Sequence, residues 1–404
     1  MNRRVVVTGL GVVSSIGVGK DEFWKNLIAG KSGISDIEAF DTNDYPSHKG
    51  GEVKNFEPAK FIAKKNLKNI ARASQFAIAA TSMALKDSQF DIVRLSHEKT
   101  AVVFGTTMGE GGMIEEIDKH WAALGEEDIW AITISKYPCN AIADNLSRFF
   151  NLSGKSFVLP TACSAGNYSI GYGYDLIRSG IVDVALAGGA DPLSRIGFTG
   201  FSRLYAMSPD LCRPFDRNRK GMMVGEGAGV LILEDLESAR KRNATIYAEI
   251  LGYGLGCDAY HMTAPRVSGI IKVIEKAIAN SRIKKEDIDY ICAHGTGTPP
   301  NDKAECEAIK SVFSDLAKNL SISSIKSMLG HTMGAASAIE AISCCLTIKD
   351  SIIPPTINYE TLDPECNLDC VPNKAKKRAV NIVLNNSLAF GGNNACLVLG
   401  KPVL

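Results

Sequence analysis

The chain has 404 residues, 45% apolar and 22% charged, an ordinary globular balance in a length that can bury a large core unaided. Lys plus Arg is 45 and Asp plus Glu is 44, so the formal net charge of +1 calls for neither a nucleic-acid partner nor a membrane surface. With no leader-like start, no apolar run of about 18 residues and an odd, scattered set of 11 cysteines, the chain is expected to be cytoplasmic with reduced thiols.

Arg4 to Gly9 predicts a buried strand running into a glycine-rich turn. A short helix is expected over 21–29 with Asp21 as its N-cap, then loop over 30–60. A helix over 67–87 is predicted by Ile70, Ala73, Phe76, Ala77, Ala80 and Ala84 at helical spacing. Strands follow at 100–105, 155–160, 182–187 and 229–234, with a helix over 164–180. A charged helical joint spans 234–245. Beyond it, strands at 246–252, 289–293, 380–385 and 395–399 alternate with helices near 268–281, 302–314 and 333–349. The alternation predicts an α/β layered fold in two parts, 1–245 and 246–404, with no sequence repeat between them.

The most informative stretch is Ser156-Phe157-Val158-Leu159-Pro160-Thr161-Ala162-Cys163-Ser164-Ala165-Gly166. A strand meets a turn of small residues and a helix begins there. Unpaired N–H groups and the macrodipole at a helix start favour a thiolate, so Cys163 is expected to have a depressed pKa. Its small neighbours are expected to leave room for substrate. The competing reading is a buried, inert cysteine.

The chain has six histidines. His294 ends an apolar strand in Ala293-His294-Gly295-Thr296-Gly297-Thr298, and His331 opens a Gly/Ala-rich helix after Lys326-Ser327-Met328-Leu329-Gly330. One thiolate can carry an acyl group, and two imidazole N–H donors can hold the enolate oxygen left when a malonyl thioester loses carbon dioxide. Neither metal nor organic cofactor is expected, since the separations do not match structural zinc spacing. Gly9-Leu10-Gly11-Val12-Val13-Ser14 is only a partial dinucleotide fingerprint. Cys344 and Cys345 read as core, Cys366 and Cys370 as flanks of a loop, His261 as structural or gating, and His48, His97 and His120 as surface.

These pieces resemble the β-ketoacyl-acyl-carrier-protein synthases of the elongating type II kind. They do so together with Arg213-Pro214-Phe215-Asp216, Gly225-Glu226-Gly227-Ala228-Gly229, Asp258-Ala259-Tyr260-His261-Met262-Thr263 and Phe390-Gly391-Gly392, over essentially the whole chain. The resemblance implies the thiolase fold, two similar α/β halves in a five-layered αβαβα arrangement. It implies an acyl carrier protein as partner, and either a homodimer or a heterodimer with a chain-length-factor-like subunit. It makes Cys163 the nucleophile and His294 and His331 the decarboxylation pair, with Lys326 and Glu340 holding the charge of the site. Phe390 is implied as a gate whose N–H joins that of Cys163 in an oxyanion hole, Thr296 and Thr298 as holders of the pantetheine arm, and Met108 as the acyl-pocket floor. In Asn386-Ser387-Leu388-Ala389-Phe390, Leu388 stands where the family has an aromatic and Ala389 where it has a gate glycine. Cys163-Ser164-Ala165-Gly166-Asn167 is similar to synthases of specialised type II polyketide or polyene pathways, so fatty acid and polyketide synthesis both stay open. The competing readings are a non-catalytic partner subunit, which lacks the nucleophile, and a degradative thiolase, for whose second cysteine only Cys396 is on offer.

Overall fold

The computed structural model describes residues 3–91, 95, 99–124 and 134–403. Strand β1 (Val5–Ser14) is buried along its whole length. It runs through Gly9 and Gly11 instead of turning there. Helix α1 (Lys20–Ile28) follows, capped at Gly19 and not at Asp21, which lies in its first turn. Helix α2 (Arg72–Ser88) explains the two glycines. A Cβ at Gly9 would lie 2.3 Å from the Ala84 carbonyl oxygen, and one at Gly11 1.9 Å from that of Ala80. Backbone meets backbone there, and no other residue type fits.

Strands β2 (Thr100–Gly105), β3 (Lys155–Leu159), β4 (Val184–Asp191) and β5 (Gly227–Asp235) join β1 in the order β1-β5-β4-β2-β3. The first two pairings are antiparallel and the last two parallel. Strands β6 (Ala248–Cys257), β7 (Tyr290–Cys292), β8 (Ser321–Ser323), β9 (Ile382–Ser387) and β10 (Asn393–Gly400) repeat the scheme as β6-β10-β9-β7-β8. Their pairings are again two antiparallel and two parallel. A repeat that the residue pattern does not show is therefore plain in the strand order. The two sets touch edge to edge where Val5–Val7 pair with Ala248–Ile250.

Further helices are α3 (Gly111–Leu124), α4 (Ala141–Phe149), α5 (Ala165–Arg178), α6 (Arg195–Arg203), α7 (Leu236–Lys241), α8 (Val267–Ser281), α9 (Pro299–Phe313), α10 (Lys326–Leu329) and α11 (Ala336–Asp350). Helix α11 is buried from Ala336 to Ile348 with no exposed face, its polar Ser337, Glu340, Ser343 and Thr347 included, the mark of a helix enclosed on all sides. It and α5 pack against strands of both sets, with α2 outside the first set and α8 outside the second. The result is the five-layered αβαβα thiolase fold. Strand β4, read as ending at Ala187, continues through Gly188 and Gly189 to Asp191. A Cβ on those glycines would strike the carbonyl oxygens of Gly229 and Gly334. Among the described residues no helix is long and apolar enough to cross a membrane.

Candidate active site

Strand β3 ends at Leu159, and a 3-10 turn over Ala162–Ser164 leads into α5. Ala162 has φ 52°, a left-handed conformation that strains a residue bearing a Cβ. This elbow sets Cys163, 4% exposed, in the wall of a cleft. A second elbow repeats the design: Met333, φ 53°, opens the turn that begins α11, two residues after His331. The small residues beyond Cys163 do not make room for substrate, as the sequence suggested. They let helices close on one another. A Cβ at Gly166 would lie 2.5 Å from Ala338 N, and Ala165 sits so close under β2 that a Cβ at Gly105 would be 2.3 Å from its carbonyl carbon.

His294 leaves β7 and His331 follows α10, and both line the same cleft as Cys163. Their ring centroids are 5.3 Å apart and their planes nearly perpendicular at 83°. Burial, aided by the Lys326 cation, holds both imidazoles well below their usual 6.5, and His331 adds to the effect on His294. Both are therefore neutral. The Met333 N–H donates to Nδ1 of His331 at 3.2 Å, so the ring proton of His331 sits on Nε2. That nitrogen is buried and has no partner among the described residues. It is a donor waiting for an oxygen.

The Lys326 ammonium pairs with the Glu340 carboxylate, and both side chains are buried. Burial pushes Glu340 up to about 7 while Lys326 opposes it. Burial likewise pushes the Cys163 thiol up to about 11, against the pull of Lys326 and of the Phe390 and Cys163 N–H groups. The depressed pKa read from the helix start is thus overturned, because complete burial outweighs the helix terminus. Cys163 is therefore held as a thiol. The two N–H groups that face the sulfur come from different halves of the chain.

Phe390 rests on Phe201 with centroids 5.7 Å apart. Ala389 is extended at φ −126° and ψ 150°, so alanine is unstrained there. The left-handed positions of the loop are Gly391 and Gly392, at φ 79° and 80°. Leu388, Thr296 and Thr298 line the cleft, the two threonine hydroxyls 2.8 Å apart. The cleft is narrow, about 40 Å³. Met108 does not line it; it lies near Gly111 and Gly197 at the starts of α3 and α6. His261 is exposed at the cleft mouth, as are His48 and His120 at the surface, while His97 lies outside the described residues. Cys344, Cys345, Cys366, Cys370 and Cys396 are buried in the core, and none of them lines the cleft.

Two carboxylates escaped the sequence reading. Asp191 accepts from the Thr106 hydroxyl and from the N–H groups of Thr107, Met108 and Gly334, at 2.6 to 2.8 Å. It thereby ties the end of β4 to the Met108 loop and to the second elbow. Glu305 on α9 accepts from the N–H groups of His294 and Gly295 at 2.8 and 2.9 Å and fixes the first histidine's turn. Burial lifts each to about 7 despite these bonds. An acid closing the apolar run Val184 to Ala190 was the available signal for Asp191.

Residues 2–239 match the model of the beta-ketoacyl synthase N-terminal domain and residues 247–360 that of the C-terminal domain. The chain is 40% identical, over 99% of its own length and 99% of the relative's, to 3-oxoacyl-[acyl-carrier-protein] synthase 2 of Staphylococcus aureus (strain COL). It superposes on a chain of the structure described as the ishigamide ketosynthase/chain length factor with a TM-score of 0.97 and 45% identity, covering 100% of both. It also superposes on a chain from a type II PKS acyl-carrier protein in complex with its ketosynthase bound to the hexaketide, with a TM-score of 0.92, 32% identity and 100% of both covered. With both family models matched in order across most of its length, and a thiol and two imidazoles in one cleft, the chain belongs to the beta-ketoacyl synthase family.

Proposed function

We propose that the protein is a β-ketoacyl-ACP synthase that condenses a Cys163-bound acyl group with malonyl-ACP. The chain divides functionally at 245/246: residues 1–245 bring the nucleophile and 246–404 the two histidines. An acyl carrier thioester passes its acyl group to the Cys163 sulfur, and the carrier leaves as its thiol with the proton Cys163 gives up. Malonyl-ACP then enters along Thr296 and Thr298. It loses carbon dioxide, and the electron pair of the broken C–C bond becomes an enolate whose oxygen takes hydrogen bonds from His294 and His331. The enolate carbon attacks the acyl carbonyl, whose developing oxyanion meets the N–H groups of Cys163 and Phe390. Collapse expels the Cys163 sulfur as a thiolate, which takes a proton from solvent to restore the thiol, and yields β-ketoacyl-ACP, two carbons longer. Lys326 and Glu340 set the field of the site from behind. Leu388 shapes the wall by the sulfur and Met108 the far end of the acyl path.

The observation that carries this reading is one cleft holding a thiol, two neutral imidazoles and two backbone N–H donors turned toward the sulfur. The acyl carrier protein is the carrier partner in the cytoplasm. A chain-length-factor-like subunit as dimer partner is the second reading, favoured by the relative at 45% identity whose description joins the two. The pathway is fatty acid or type II polyketide/polyene synthesis. Carbon dioxide release from malonyl-ACP tests the division of labour. His331→Ala should acylate at Cys163 at close to the wild-type rate but release carbon dioxide at least about 100-fold more slowly. Retention of both steps would refute the assignment.

A further inference from the structure

The two oxyanion donors lie 227 positions apart in sequence, at Cys163 and Phe390, and come from different halves of the fold. One oxygen can use both only if the halves are held in register next to the sulfur. A buried polar bridge does this. The Asn167 side-chain amide, in the first turn of α5, donates to the Asn385 carbonyl in β9 at 3.0 Å. In return the Asn385 amide donates to Asn167 Oδ1 at 3.0 Å and to the Ser337 carbonyl of α11 at 2.9 Å. The Ser337 hydroxyl accepts from the Asn167 N–H at 2.9 Å and reaches the Cys163 carbonyl at 3.5 Å. Two residues beyond Asn385, the Ser387 hydroxyl donates to that same carbonyl at 3.0 Å. All four side chains are at most 1% exposed.

We infer that the Asn167–Asn385 amide pair, with Ser337 and Ser387, is the positioning device of the oxyanion hole. Buried amides are expensive to desolvate, and apolar residues of the same shape would hold a core as well. What they supply instead is direction: the bonds of Asn167 to Asn385 and Ser337, and of Ser387 to the Cys163 carbonyl, fix one half against the other, and that of Asn385 to the Ser337 carbonyl ties β9 to α11 within the second. The nucleophile turn, the second-histidine helix and the strand leading to Phe390 meet at these four side chains. Phe390 lies three residues after Ser387, so a shift of β9 against α5 moves one donor away from the other.

The inference rests on Cys163 being the acylated nucleophile, and the test separates the two. Acylation of Cys163 by hexanoyl-pantetheine passes through an oxyanion, whereas alkylation by iodoacetamide, an SN2 displacement at the same sulfur, does not. In Asn385→Ala, saturated acylation should fall about 30-fold, with KM and the iodoacetamide rate each within about twofold of wild type. Ser387→Ala removes one hydroxyl and leaves the amide pair intact. It should give about a 10-fold loss in acylation with the same unchanged alkylation, and it carries the test if Asn385→Ala does not fold. Unchanged acylation in a folded variant, or alkylation slowed in parallel, would overturn the positioning role. A wild-type protein that is alkylated but never acylated would instead defeat the reading beneath it.

Discussion

Lys326 is the charge that every titrating group around it feels. Burial lifts the Cys163 thiol and Glu340 and lowers both imidazoles, and the Lys326 cation opposes the first effect and adds to the second. In Lys326→Met, Glu340 would face a buried site without the cation it pairs with, which should cost about 3–5 kcal/mol of stability in urea unfolding. Alkylation of Cys163 at pH 8 should slow as well. Replacing both members, as Lys326→Met with Glu340→Leu, should return most of the stability but none of the thiol reactivity; recovery of reactivity would show that the ion pair does not act on the sulfur. The histidines give a second expectation. Because both are held well below 6.5, neither should give an inflection in carbon dioxide release near that pH, and an inflection near 7 would belong to the buried carboxyls Asp191, Glu305 and Glu340. Their effect on stability has a definite sign. The unfolded chain takes up protons at 6.5 while the folded chain refuses them, so their contribution is full above 6.5 and shrinks as pH falls below it. The unfolding free energy of wild type relative to His331→Gln should therefore drop between pH 7 and 5.5, by up to about 1.4 kcal/mol per pH unit. At this scale Cys163, His294 and His331, which the structure brings into one cleft, were legible as candidates in the sequence, because glycines and small residues frame them. The thiol's raised pKa was not, since burial depends on what the rest of the chain places over a helix start.

The elements divide in the same way. Their type was legible for β2, β5 and α8, where apolar periodicity is strong, while α3, α4 and α6 went unseen. Glycine misled most. In β1 and β4 it marks close approach of another backbone, and a sequence read alone takes it for punctuation. The elbow before Cys163 was legible as a sharp turn, but its strained residue was not. Ala162→Gly should cost no net stability, because relief of about 1 kcal/mol of left-handed strain offsets the added freedom of glycine in the unfolded chain. It should still slow acylation several-fold, since the N–H of Cys163 is aimed by that strain. Faster acylation in Ala162→Gly, with unchanged urea midpoint, would mean the elbow is a packing accident.

Across the whole molecule, one strand order occurs twice and the candidate site lies where the two copies meet. Each elbow opens a helix of the central layer, one bearing Cys163 and the other following His331. The bonds that tie these elbows to the rest of the site span long stretches of sequence, 143 positions from Gly334 to Asp191 and 224 from Cys163 to Ser387. Pairings that distant leave no local trace in a sequence, which is why the partners of Asp191 and the Asn167–Asn385 bridge emerged only in three dimensions. Glu305 lies only 11 positions from His294 and was missed for another reason, since a glutamate on a charged helix reads as surface. The central claim is that this seam loads an acyl group on one sulfur and extends it. Intact-protein mass spectrometry after incubation with acyl-ACP, then malonyl-ACP, addresses it most directly. The expected result is one acyl mass gained on the wild type and absent in Cys163→Ala, then discharged as a β-ketoacyl-ACP two carbons longer. An acyl mass retained by Cys163→Ala, or an acyl-enzyme that malonyl-ACP cannot discharge, would contradict it.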